Sequence, residues 1–71
     1  MTNEQERIRI GQRVAELRKA KKLTQEELSV KAGLQRTHVV RIEQGKYNVG
    51  IDTLAAVGEV LGYAVDFVRK K

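Results

Sequence analysis

Apolar residues recur along this chain at helical spacing, in blocks separated by short polar breaks. The first block is Ile10, Val14 and Leu17, with Ile8 and Ala20 nearby, while Arg7, Arg9, Arg13 and Glu16 fall largely on other faces. Thr2, with Gln5 three residues later, has the form of a helix cap and its reciprocal partner. The block ends in the basic run RKAKK, residues 18–22, which suits the negative end of a helix dipole. A second helix opens at Thr24, where Thr24-x-x-Glu27 forms a capping box and Glu26 and Glu27 place negative charge in the first turn. Leu28 and Ala32 share one face of it, and Gly33 stands where a left-handed residue ends a helix at little cost. The pattern predicts a third helix from about Gln35 to Gln44, with Val39 and Ile42 as its core pair and Gly45 as its end. After the loop KYNVG, Gly50 serves as a cap. Ile51, Leu54, Val57 and Leu61 then mark a fourth apolar stripe, stopped by Gly62.

The tail, YAVDFVRKK, reads two ways. Tyr63, Val65 and Phe67 alternate with Ala64 and Asp66 as in a strand, whereas Val65 and Val68 continue a helical face from Leu61. Its aromatic and β-branched content favours the strand.

The class is therefore all-α, with a short C-terminal strand as the one addition. A chain of 71 residues makes a single domain with a marginal core, of the size that leans on disulfides, metals or oligomerisation. Cysteine is absent and His38 is the only histidine, which excludes disulfides, thiolate metal sites and a histidine-built zinc site. Oligomerisation remains. The N-terminus MTNEQERIRI is polar and no apolar run approaches bilayer length, so a cytoplasmic location with no membrane contact is expected. Proline, Gly/Ser linkers and internal repeats are missing as well. Nothing points to an enzyme or a cofactor: there is no paired-carboxylate motif, no phosphate-cradling glycine loop, and one unaccompanied histidine. The net charge of +5 suits a polyanionic partner, nucleic acid above all.

The stretch LTQEELSVKAGLQRTHVVRIEQG, Leu23 to Gly45, explains the pattern best. Two short helices joined through a glycine corner make a helix-turn-helix unit, here residues 24–44. In such a unit the first helix crosses the DNA backbone and the second presents its N-terminal half to the major groove. Arg36 and Arg41 lie roughly one and a half turns apart and can project toward one groove. Arginine paired with guanine is the commonest specific base contact, worth about 1–3 kcal/mol of discrimination. Thr37 offers a methyl to thymine or a hydroxyl to a base, and Lys46 in the loop suits a phosphate.

The same stretch resembles the helix-turn-helix of the phage repressor and Cro-like family, also called the xenobiotic-response-element (XRE) family. The matching residues are Leu23-Thr24-Gln25, Glu27-Leu28, Ala32-Gly33, Val39, Ile42-Glu43 and Gly45, with Leu17-Arg18 upstream and Asp52-Thr53-Leu54 downstream. The likeness covers residues 7–62. It implies a compact bundle of four or five helices, of lambda-repressor-like fold, that binds operator DNA. By position it implies that Arg36, Thr37 and Arg41 read base edges, that Gln25 donates to a phosphate and supports the recognition helix, and that His38, Lys46 and Asn48 lie near phosphates. Tyr47 fits both a core-edge place and a phosphate contact. Glu43 stands in the last turn of the third helix, where negative charge is disfavoured. The resemblance pairs it with Arg18, as an ion pair that orients the recognition helix rather than adding much net stability. Two positions depart from the family pattern. Gln35 replaces the usual Ser or Thr cap, and Val49-Gly50 stands where Pro-Ser is common.

The resulting expectation is a sequence-specific, nucleoid-associated transcriptional regulator. It would be a homodimeric repressor on a pseudo-palindromic operator, with residues 63–71 as the dimerisation segment. Antitoxin-like members of the family use short C-terminal strands in this way. The alternative is accordingly an antitoxin-like protein that binds a partner toxin and regulates its own operon, although no long toxin-binding tail is seen here.

Overall fold

The computed structural model describes residues 3–70. Four helices follow one another: α1 (Glu4–Ala20), α2 (Gln25–Ala32), α3 (Arg36–Gln44) and α4 (Ile51–Leu61). The expected cap Thr2 lies outside the described residues. Within them, Asn3 precedes α1 and its carbonyl accepts from the Arg7 N–H at 3.0 Å.

α2 starts on its capping box. The Thr24 hydroxyl accepts from the Glu27 N–H at 3.0 Å, and the Glu27 carboxylate accepts from the Thr24 N–H at 2.8 Å. That backbone bond, backed by the threonine hydroxyl, holds the Glu27 carboxyl below its ordinary value. A depressed carboxyl stabilises the fold above its unfolded-state value and loses that contribution as pH falls through its folded value. Glu27→Gln is therefore expected to flatten the acid limb of stability, read as thermal midpoints from about pH 6 to about pH 2. Its destabilising effect should be largest near neutral pH, where the wild-type carboxylate contributes in full, and should fade toward pH 2 as that carboxylate is protonated.

Gly33 ends α2 with φ +72°, the left-handed geometry that lets its N–H and that of Leu34 fold back onto Val30 and Ser29 carbonyls. The corner into α3 takes three residues, Gly33, Leu34 and Gln35. α3 begins after Gln35, which stands at the cap in extended geometry but makes no side-chain capping bond.

Every helix contributes to one core. Val14, Leu28, Val39, Ile42, Val57 and Leu61 are buried, and Ile10, Leu17, Ala32, Leu34, Tyr47, Val49 and Val60 pack against them. Ile51, expected in the apolar stripe of α4, is 67% exposed. It is the first residue of the helix. α1 packs chiefly on α3, and one residue decides how closely. A Cβ at Gly11 would run into the Ile42 carbonyl and come within 2.9 Å of the Glu43 carbonyl. Glycine in mid-helix is the condition for that approach.

The expected strand is not formed. Residues 63–70 are neither strand nor helix. Gly62, at φ +86°, and the Tyr63 N–H bonded to the Gly58 carbonyl at 2.8 Å close α4 and turn the chain off the helix axis. A strand needs a ladder partner, and the described residues hold no second strand to supply one. The tail instead runs back beside α1, with the Arg13 guanidinium 6.0 Å from the Tyr63 ring centre.

Candidate nucleic-acid interface

The helix-turn-helix is held at its base by one buried carboxylate. Glu43 accepts from Arg18 Nε at 2.7 Å and Arg18 Nη2 at 3.0 Å, a bidentate pair whose side chains are 11% and 7% exposed for Arg18 and Glu43. Gln25 Nε2 donates to the same carboxylate at 3.1 Å. The remaining Arg18 nitrogen, Nη1, donates to the Leu23 carbonyl at 2.8 Å. α1, the α1–α2 turn, the first residue of α2 and the last turn of α3 therefore meet at a single point. The Glu43 hydrogen bond holds the Arg18 guanidinium yet more firmly protonated than usual, against the opposing pull of burial.

Above this base, α3 turns its N-terminal half outward. Arg36, Thr37 and Arg41 are exposed on it, and Lys46 and Asn48 are exposed on the loop that follows. Gln25 and His38 are half-buried. Gln25 donates an amide N–H to Glu43 and so ties the first residue of α2 to the last turn of α3.

His38 does not stand alone. Its imidazole stacks on the Tyr47 ring with centres 5.8 Å apart and planes 10° from parallel. Its Nδ1 is buried and meets no hydrogen-bond partner.

Four features escaped the sequence reading: the Gln25–Glu43 bond, the Arg18–Leu23 bond, the His38–Tyr47 stack and the close α1–α3 approach at Gly11. Of these, only Gly11 carried a sequence signal of its own, a glycine inside a helical pattern.

A two-helix corner, a basic and exposed face on its second helix, and a buried tie to the preceding helix define a DNA-binding helix-turn-helix domain. The family model described as helix-turn-helix matches residues 14–68, and the chain belongs to that family, in its XRE-type, repressor-like branch of DNA-binding regulators. The immunity repressor protein of Bacillus phage phi105 is 42% identical over 59 residues, covering 83% of this chain and 41% of the repressor. The chain thus spans less than half the length of that relative. The control protein C.BamHI of Bacillus amyloliquefaciens is 36% identical over 57 residues, 79% of this chain and 70% of the relative. The crystal structure of the restriction-modification controller protein C.AhdI from Aeromonas hydrophila superposes with a TM-score of 0.84 at 33% identity, covering 89% of this chain and 91% of that one. Among the described residues, no helix is long and apolar enough to cross a membrane.

Proposed function

We propose that this chain is a sequence-specific DNA-binding transcriptional regulator, a repressor that acts as a homodimer on a pseudo-palindromic operator. The observation that carries the reading is the exposure of Arg36, Thr37 and Arg41 on a helix whose base is locked by the Arg18–Glu43–Gln25 network. Base reading falls to those three side chains. Gln25, His38, Lys46 and Asn48 grip the phosphates on either side. Residues 1–71 act as one domain, without catalysis, in the cytoplasm and on the nucleoid.

The dimer contact is assigned to residues 63–71. Tyr63, Val65, Phe67 and Val68 are exposed there, and they help line a groove of about 800 Å³ between the tail and the apolar and charged residues of α1 and α4. A domain of this size gains from covering such a surface with a second copy. A two-fold dimer places half-site centres about one helical turn apart.

Selection of duplexes from a random pool, run at fixed salt for wild type, Arg36→Ala and Lys46→Ala, tests the reading. Wild type should enrich a two-fold-symmetric motif. Arg36→Ala should blur it, with a loss of about 1–3 kcal/mol of discrimination at the affected base. Lys46→Ala should weaken all sequences alike and flatten the salt slope by about one contact. A wild type that enriches nothing and binds only with steep salt dependence would overturn the reading and direct attention to a protein partner.

A further inference from the structure

We propose that Tyr47 is a positioning residue for DNA binding: its stack on His38 clamps the α3–α4 loop to the recognition helix and so sets where Lys46 and Asn48 meet the phosphates. The proposal rests on the DNA-binding reading above and adds to it a residue that does not itself touch DNA.

The argument begins with what fails to hold the loop. Lys46 is tied by its N–H to the Arg41 carbonyl at 3.1 Å. Gly50 is tied by its carbonyl, which accepts from the Leu54 N–H at 3.0 Å. Between them, among the described residues, no backbone hydrogen bond engages Tyr47, Asn48 or Val49. Beneath the loop lies a groove of about 430 Å³, bounded by Asn3, Arg7 and Ile10 of the α1 side and Ile42 of α3. The loop is therefore held by side-chain packing, with a groove beside it, and not by backbone hydrogen bonds. Its geometry depends on two side chains that reach the core edge, Tyr47 and Val49.

Of these, Tyr47 is the one whose ring stacks on a side chain at the start of the reading helix. Nearly parallel rings at 5.8 Å restrict sliding and tilting of the loop relative to α3. His38 in turn is held in the first turn of α3, its own N–H donating to the Gln35 carbonyl at 3.0 Å. The His38 Nδ1 is buried and meets no hydrogen-bond partner, so the ring is held by packing and not by a hydrogen bond at that atom. The phenol hydroxyl of Tyr47 takes part in none of the side-chain hydrogen bonds found among the described residues, so the ring face, not the hydroxyl, does the positioning.

A coupling experiment tests this. Affinity for the duplex enriched by wild type is measured for Lys46→Ala in three backgrounds: wild type, Tyr47→Phe and Tyr47→Ala, each at a temperature where the variant is folded. Losing one counterion-releasing contact costs about fivefold at roughly 0.15 M salt. That loss is expected in the wild-type and Tyr47→Phe backgrounds. In Tyr47→Ala, where Lys46 is no longer held in place, it should shrink to less than about twofold. A purely structural tyrosine would lower stability and leave the Lys46 loss at about fivefold in every background, which overturns the proposal.

A second readout needs no DNA. Backbone ¹⁵N relaxation of residues 46–49 in the free protein should show fast motion in Tyr47→Ala and wild-type order in Tyr47→Phe. An ordered loop in Tyr47→Ala also overturns the clamp. Should wild type enrich no duplex, the DNA-binding reading fails by itself, and the relaxation result still decides whether the stack holds the loop.

Discussion

Arg18→Ala is expected to destabilise the domain by about 3–5 kcal/mol, the loss associated with removing one member of a buried pair. The size follows from what is left behind. Glu43, 7% exposed at its side chain, would keep only the neutral Gln25 amide as a donor. Its charge would stay in a low-dielectric site without a countercharge. The Leu23 carbonyl would lose its arginine donor as well. A core of this size rarely supplies more than about 3–5 kcal/mol, so a large share of the molecules would unfold near physiological temperature. Denaturant unfolding monitored by far-UV circular dichroism reads the loss directly. Replacing both partners with apolar residues, Arg18→Met with Glu43→Leu, should recover much of it, because no charge is then stranded. Recovery of stability without recovery of DNA affinity would separate the two tasks of this pair, since the apolar version packs but does not fix the pitch of α3.

The second large effect comes from adding a single methyl group. Gly11→Ala should improve intrinsic helix propensity by about 1 kcal/mol. It is nevertheless expected to lower stability by about 2 kcal/mol or more, because overpacking of a tight contact costs about 1–3 kcal/mol and occasionally more. The new Cβ would meet backbone, not a side-chain tip: the Ile42 carbonyl first, then the Glu43 carbonyl at 2.9 Å. Backbone in the last turn of α3 can yield only if α3 moves off α1. That movement would stretch the Arg18–Glu43 contact, so operator affinity should fall further than stability alone accounts for. Thermal unfolding and DNA titration of the same variant test both halves. A variant more stable than wild type would show that the two helices separate freely.

The bounds of α2 and α3 were legible in the sequence because their ends are local chemistry. Thr24 and Glu27 cap each other three residues apart, and Gly33 and Gly45 each supply a left-handed residue at a helix end. The ion pair of Arg18 with Glu43 was legible only through family resemblance, since the two residues are far apart in the chain and nothing local joins them. The tail misled for a physical reason. Alternation at Tyr63, Val65 and Phe67 records a preference for extended backbone, but a strand also needs a neighbour, and alternation says nothing about one. Ile51 misled because periodicity identifies a face without saying where the helix leaves the core. The His38–Tyr47 stack was invisible because it joins a helix to an irregular loop, where no period applies.

The hydrogen bonds around Glu43 divide labour along α3 in a way that bears on how such a protein changes. Stability is invested at the C-terminal end of the helix, in Glu43 and its donors on Arg18 and Gln25. At the other end and along the outer face, the side chains of Arg36, Thr37 and Arg41 enter none of the side-chain hydrogen bonds found among the described residues, and all three are exposed. Substitutions there fall in the class that shifts stability by only about ±0.5 kcal/mol. On the proposed function, the address is thus written on a part of the molecule that the fold does not depend on. Lineages can redirect such a domain to new operators one side chain at a time, without passing through an unfolded intermediate.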